Sequence, residues 1–308
     1  MLRAARPALI LTLAGLFFLE CAAAETFRVG TYNLENYVEP DTTARLPKPA
    51  EARAKIRESI LAMKPDVLAL QEMGGSGALL ELRESLKMGG LDFLHWELVH
   101  GFDTNIHVAV LSRFPLVARH PHTNDGFLLG GRRFQVSRGF AEVEVQVNAK
   151  YKFTLITAHL KSRRPIAQAD EAEMREQEAI VLREKIDADF KSNPELNLVV
   201  LGDFNDTKDS RTVRAIVGRG RTKLLDTRPG ERNGDTARAG GEKTDQRQVT
   251  WTHFYAKEDT YSRIDYLMVS PGMAREWLPE ETFIVTVPNW GVGSDHRPLV
   301  ATFVAVDK

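Results

Sequence analysis

The run Leu198-Val199-Val200-Leu201 contains no polar residue and stops abruptly at Gly202-Asp203-Phe204-Asn205. A strand without polar alternation must be covered on both faces, so the chain has to build layers on each side of a sheet. A second such run, Asp66-Val67-Leu68-Ala69-Leu70, ends in Gln71-Glu72. A third, Leu299-Val300-Ala301-Thr302-Phe303-Val304, stands directly behind Gly293-Ser294-Asp295-His296-Arg297-Pro298. Buried strands that end in carboxylates, an amide and a histidine carry the equipment for metal-assisted hydrolysis of a phosphate ester.

Between these runs the spacing predicts an opening strand from Phe27 to Asn33 and a helix from Ala50 to Met63, with Ile56, Ile60 and Met63 on one stripe. A second helix is predicted from Ala78 to Lys87, and a long charged one from Ala167 to Phe190 with a stripe through Ile180, Val181 and Ile186. Strands are expected at Leu94 to Val99, Ile106 to Leu111, Phe140 to Val147, Phe153 to Thr157 and Ile264 to Val269. Strict alternation from Ala141 to Val147 assigns one face to core and the other to water. The Gly-, Arg- and Asp-rich stretch from Arg228 to Gln248 reads as a mobile surface loop. Strands and helices mix throughout, with no repeat and no linker, which points to a single α/β or α+β domain.

The first residues read as a signal peptide. Arg3 and Arg6 precede an apolar stretch, Leu9 to Leu19, that is too short to span a bilayer, and Ala22-Ala23-Ala24 supplies a small-residue cleavage site. Cleavage would leave residues 25–308 as one domain without a transmembrane span, periplasmic or secreted and expected to be a monomer. It would also remove Cys21, the one cysteine, so no disulfide could form. With 41 Lys+Arg against 42 Asp+Glu, the net charge of −1 exerts no overall pull on a polyanion or a membrane surface. Such a partner would have to be held by a local basic patch or by metal.

Asp203 and Asn205 stand two apart beyond a buried strand; in extended backbone both would point to one side. They suit a water, a metal or a phosphate oxygen, or else an Asx turn. Glu72, at the mouth of its apolar strand, is a hard-cation ligand or a solvated strand end. Asn33 closes the first strand in the same way, with Glu35 two residues on. His296 needs an orienting carboxylate to act as a base, and Asp265 starts an otherwise apolar strand and needs a partner; pairing them explains both. His159 ends a strand and is followed by Lys161, Arg163 and Arg164, a set that would offset charge developing on phosphorus or simply form a solvated basic loop. Arg132, Arg133 and Arg138 form another basic stretch.

Taken in order, Thr31-Tyr32-Asn33-Leu34-Glu35-Asn36, Pro65 to Glu72, Val110-Leu111-Ser112-Arg113-Phe114-Pro115, Thr157-Ala158-His159-Leu160-Lys161, Gly202 to Asn205, Ser262 to Tyr266 and Ser294 to Pro298 resemble the endonuclease/exonuclease/phosphatase superfamily, DNase I-like nucleases included. The resemblance implies a four-layer α/β (α+β) sandwich, two packed mixed β-sheets flanked by helices, with the site at one end. It implies a divalent ion, Mg²⁺ or Mn²⁺ with Ca²⁺ a further candidate, on Glu72 assisted by Asn33 and Asp295. Asp203 would orient the attacking water, Asn205 the phosphate, and His296 with Asp265 would act as base or phosphate contact. His159 would assist the transition state, with Lys161, Arg138 and Arg163 on the substrate. No acidic partner for His159 and no counterpart of the 228–248 loop can be placed by the resemblance.

Nucleic acid is the expected substrate and endonucleolytic phosphodiester cleavage the expected reaction. The rival with the same chemistry is a phospholipid phosphodiesterase or another phosphatase, which would bind a headgroup; a sphingomyelinase would show an exposed aromatic hairpin, for which Phe127 to Leu129 and Trp290 are the nearest features. A non-catalytic binding protein of the same fold would have lost metal or base residues, and these are present.

Overall fold

The computed structural model describes residues 25–42, 45–232 and 249–306. The expected leader and most of the expected 228–248 loop therefore lie outside the described residues. Two mixed sheets face each other. The first runs Gly230–Glu231, Trp277–Ile284, Leu299–Val304, Thr26–Tyr37, Val67–Met73, His107–Ser112, His95–Val99. The second runs Leu225–Asp226, Asp265–Val269, Leu198–Asp203, Lys152–His159, Phe140–Gln146, Leu116–His122. At the centre of each lies a parallel pair, Thr26–Tyr37 with Val67–Met73 and Lys152–His159 with Leu198–Asp203.

The unbroken apolar runs behave as their composition requires. Val29, Val67, Val110, Val143, Leu155, Val199, Leu201 and Leu267 point between the sheets into one core. The alternate residues of the first sheet, Leu68, Leu70 and Val300, meet α1 (Ala50–Met63) and α2 (Ser76–Met88) through Ile56, Ile60 and Leu82. Those of the second, Ile156, Val200 and Met268, meet α3 (Glu171–Ser192) and α4 (Arg211–Val217) through Leu182, Ile186 and Ile216. The result is the four-layer helix–sheet–sheet–helix sandwich.

Three local expectations change. The long helix starts at Glu171, not Ala167, because Asp170 caps it by accepting from the N–H groups of Ala172 and Glu173. Within that helix Ile180 is 36% exposed, and the buried stripe runs through Met174, Glu178, Leu182 and Ile186. The alternating strand does not turn Glu142 to water: it is buried and its carboxylate meets His122 Nε2 at 2.8 Å.

Candidate active site

Both parallel pairs stop at the same end of the sandwich, and their last residues line up across it. In the second sheet His159, Asp203 and Asp265 are direct lateral neighbours on three adjacent strands. In the first, Asn33 pairs with Gln71, next to Glu72. Asn33 Nδ2 donates across the gap to Asp203 Oδ2 at 2.9 Å, so the two sheets are joined by their polar tips. Just beneath, Thr31 donates to Gln71 and Gln71 to Thr157, each at 3.1 Å, which satisfies the polar groups that close the core.

The backbone turns sharply at these ends. Gly202 sits at φ +129, where a Cβ would run into Ala158 O, and that close approach brings Asp203 beside His159. Glu72 adopts φ +58, and its carboxylate accepts from Asn36 N at 2.9 Å. Asn205 adopts φ +54, so it is not on an extended strand. Its N–H closes an Asx turn on Asp203 Oδ1 at 2.9 Å, and its amide still returns to Asp203 Oδ2 at 3.2 Å and to Leu160 O at 3.0 Å. The turn and the site are one structure.

The Ser294-Asp295-His296 segment is pinned by its serine, whose Oγ donates to Asn33 O at 2.8 Å and accepts from His296 N at 3.1 Å. That places His296 Nδ1 2.8 Å from Asp265 Oδ2 and turns Nε2 toward Asp203 at 3.8 Å and Asp295 at 3.7 Å. His159 Nε2 faces Asp203 at 3.4 Å and Glu72 at 4.0 Å, while its buried Nδ1 has no partner among the described residues. No carboxylate from the Asp103 to His107 region reaches that nitrogen.

The cations are less uniform than the sequence suggests. Arg138 is buried and donates from Nη1 to Leu160 O at 3.0 Å. The Lys161 ammonium is held by Ser162 O and Arg164 O at 3.1 and 2.9 Å. Arg163 lies farther out, between Asn205 O at 3.2 Å and Asp206 at 3.7 Å. Trp290 packs in a ring cluster with Trp251; Phe127 is buried while Leu128 beside it is 72% exposed, and the hairpin of His253–Tyr255 with Thr260–Ser262 presents the exposed rings of Tyr255 and Tyr261.

Three residues enter that sequence reasoning missed. His253 packs against His296, tilted by 46° with ring centroids 4.6 Å apart, and faces Asp295 at 3.5 Å. Arg45 joins Asn36 Oδ1 at 2.8 Å to Asp103 at 3.1 Å. Glu178, wholly buried on α3, accepts from Ser137 N, Ser137 Oγ and Lys161 N at 2.8, 2.6 and 2.6 Å, so it clamps the loops carrying Arg138 and Lys161. An acid on the apolar stripe of a helix was a visible signal for the last; His253 and Arg45 left none.

Burial sets opposite charges on similar groups. Desolvation and the neighbouring Asp265 charge push Asp203 up to about 7. Burial works against a charged His296, yet Asp265 and Asp203 hold it well above the ordinary histidine range. Burial, reinforced by Arg138 and His296, holds His159 well below that range, so it is a neutral imidazole. Two clusters, Asp203–Asp265–His296 and His253–Asp295–His296, keep ligand atoms within 4.8 Å of one another. Asp203 keeps a raised proton affinity despite donors from Asn33 and Asn205, and the oxygen-rich set of Asp203, Glu72 and Asp295 around it suits a hard divalent ion. The Asn33 amide, with Oδ1 engaged by Glu35 N at 2.9 Å, turns its nitrogen toward Glu72 and Asp203.

Residues 30–296 match the model of a family described as the Endonuclease/Exonuclease/phosphatase family. No curated protein matches the chain. Among solved structures, the human Nocturnin catalytic domain with bound sulfate anion superposes with a TM-score of 0.60 at 17% identity, over 91% of this chain and 95% of that one. An endonuclease/exonuclease/phosphatase family protein from Bacteroides thetaiotaomicron gives 0.57 at 20% identity, over 92% and 99%. The 3′ phosphatase NExo from Neisseria, bound to product DNA hairpin, gives 0.57 at 17%, over 90% and 99%. Likeness at these identities is likeness of fold.

Proposed function

The chain belongs to the endonuclease/exonuclease/phosphatase family of metal-dependent phosphoric ester hydrolases, and from that premise we propose an exported phosphodiesterase that cuts nucleic acid by in-line attack of water on phosphorus. One observation carries the mechanism: Asn33, Glu72, His159, Asp203, Asp265 and His296 meet at the joined ends of the two sheets. Glu72 and Asp295 would hold the divalent ion, with Asn33 positioning the Glu72 and Asp203 carboxylates through its amide nitrogen. When bound, the ion polarises the phosphoryl oxygen and offsets negative charge in the transition state.

Asp203, with its proton affinity near neutrality, is the group suited to take the proton of the attacking water. His296, kept charged and oriented by Asp265, presents Nε2 to a phosphoryl oxygen. His159, neutral, offers a hydrogen bond without charge, and Asn205 fixes Asp203 in place. Environment thus assigns different tasks to like side chains. Arg138, Lys161 and Arg163 border the site and favour a polyanionic substrate. Export rests on the basic, apolar and small-residue order of the first 24 residues.

The test is purified mature protein incubated with plasmid DNA, RNA, sphingomyelin vesicles and a simple phosphodiester, in Mg²⁺ or in EDTA. Mg²⁺-dependent cleavage of DNA or RNA is expected. Cleavage of the lipid alone would overturn the nucleic-acid assignment and leave the chemistry standing.

A further inference from the structure

Bordered by Arg138 and Lys161 lies a cavity of about 830 Å³, within the ~300–1,000 Å³ range of small-ligand sites. Phe102, Phe134 and Ile166 line it from three separate segments, and Arg133, Arg138 and Arg164 stand around them. Phe102 is 70% exposed, next to the polar stretch Asp103-Thr104-Asn105. A lone exposed apolar side chain is ordinary, but Phe102, Phe134 and Ile166 share one cavity, and a concave apolar patch with polar groups around it marks a ligand site.

The walls are braced. Glu178 ties Ser137 to Lys161, and the Asp125 carboxylate accepts from Lys185 Nζ at 2.6 Å at the root of the hairpin carrying Arg133 and Phe134. Arg138 is the link to the catalytic groups: buried, bonded to the carbonyl next to His159, with an Nε that makes no hydrogen bond and has Asp103 3.8 Å away. Against the cations the lining holds one carboxylate, Asp103, already engaged by Arg45. Flat apolar surfaces ringed by guanidinium groups complement a ligand that combines a planar heterocycle with an anionic backbone. An acyl chain would have no use for the cations.

We propose that this cavity receives the unstacked base of the nucleotide adjoining the scissile phosphate on the His159 side, with Phe102 as the stacking platform. This deepens the nucleic-acid reading and rests on it. A base enters only when it has left its stack, so the enzyme prefers single-stranded or frayed substrate. Stacking on one aromatic ring is commonly worth one to two powers of ten in affinity.

The experiment uses single-stranded oligonucleotides in which each nucleotide flanking the cleaved bond is replaced in turn by an abasic spacer. The wild type should lose about 10-fold in kcat/KM at one position on one side. Phe102→Ala should lose about 10-fold on the parent strand and nothing further on that spacer, and binding of the parent strand in EDTA should weaken in parallel. Indifference of the wild type to every spacer, or an equal loss by Phe102→Ala on parent and spacer, overturns the base pocket while leaving nucleic-acid cleavage intact. Cleavage of sphingomyelin vesicles but of no nucleic acid overturns both.

Discussion

The strand Thr26–Tyr37 begins in one kind of chemistry and ends in another. At its start Phe27 packs on Phe153, Phe303 and Tyr151 with ring centroids 5.1, 5.6 and 5.7 Å apart, tying both sheets together by apolar contact. At its end Asn33 ties the same two sheets through a hydrogen bond to Asp203, among buried groups whose charges oppose folding. One end of the sandwich gains stability from closing; the other is held closed by it. Burying carboxylates without a cation costs free energy that the aromatic end has to offset.

Substitutions should separate the two ends cleanly. The largest effect expected is in activity: His296→Ala should lower kcat/KM on DNA by 10³-fold or more, about 4 kcal/mol, while the urea midpoint moves far less than for a core change. Phe27→Ala should do the reverse, costing roughly 3–5 kcal/mol of stability and leaving turnover per folded molecule within about twofold. A large loss of turnover in Phe27→Ala, measured at low urea, would merge the two ends into one mechanical unit.

Metal should act on the polar end alone. Saturating Mg²⁺, at about 100 times its dissociation constant, should raise stability by about 2.7 kcal/mol, and Glu72→Gln should remove most of that gain in a calorimetric scan. Asp203→Asn should stabilise the metal-free protein by about 1 kcal/mol while nearly abolishing cleavage; a loss of stability would mean that its hydrogen bonds outweigh its charge.

The smallest effect is a slope with pH. Asp203 and His296 both bind a proton more tightly folded than unfolded, Asp203 through burial and the Asp265 charge, His296 through Asp265 and Asp203 against its burial. Stability that depends on those protons is present at acid pH. It declines as pH rises from 3.8 to about 7 for Asp203, and above 6.5 toward the raised value for His296. Above pH 6.5, where the opposing gain from the lowered His159 is complete, metal-free protein should therefore show a falling urea midpoint. In Asp203→Asn the part of that fall below about pH 7 should shrink.

What could be read from sequence was whatever periodicity carries. The helix Ala50–Met63 fell where its Ile56, Ile60 and Met63 stripe placed it, and the apolar runs of Val67–Met73 and Leu198–Asp203 marked the centres of the two sheets. Edge strands were less legible. Trp277–Ile284 is covered on its outer side only at Phe283 and Ile284, by Gly230–Glu231, and its open part carries Pro279, Glu280 and Glu281 across a register break, the composition of a protected edge, which conceals a strand from any alternation rule. Within the site, Asp265 and His296 followed from the need of a buried charge for a partner, and Asp203 from its place at the end of an apolar strand. His253 did not, because its place in the site comes from a bridge to His296, a long-range contact that no local window contains.

The bond from Asn33 to Asp203 makes the gap between the sheets a working dimension of the enzyme. Asn33 is fixed to one sheet and Asp203 to the other, and the distance between them is set by side chains such as Val29 and Leu201 that fill the space behind. The core is thus a calliper whose jaws are the reacting groups. A methylene added or removed at Val29 or Leu201, close behind the jaws and away from the aromatic end at Phe27, would open or close them by a fraction of an ångström and shift which phosphate esters fit. Selection for a new substrate has a route through thickness alone.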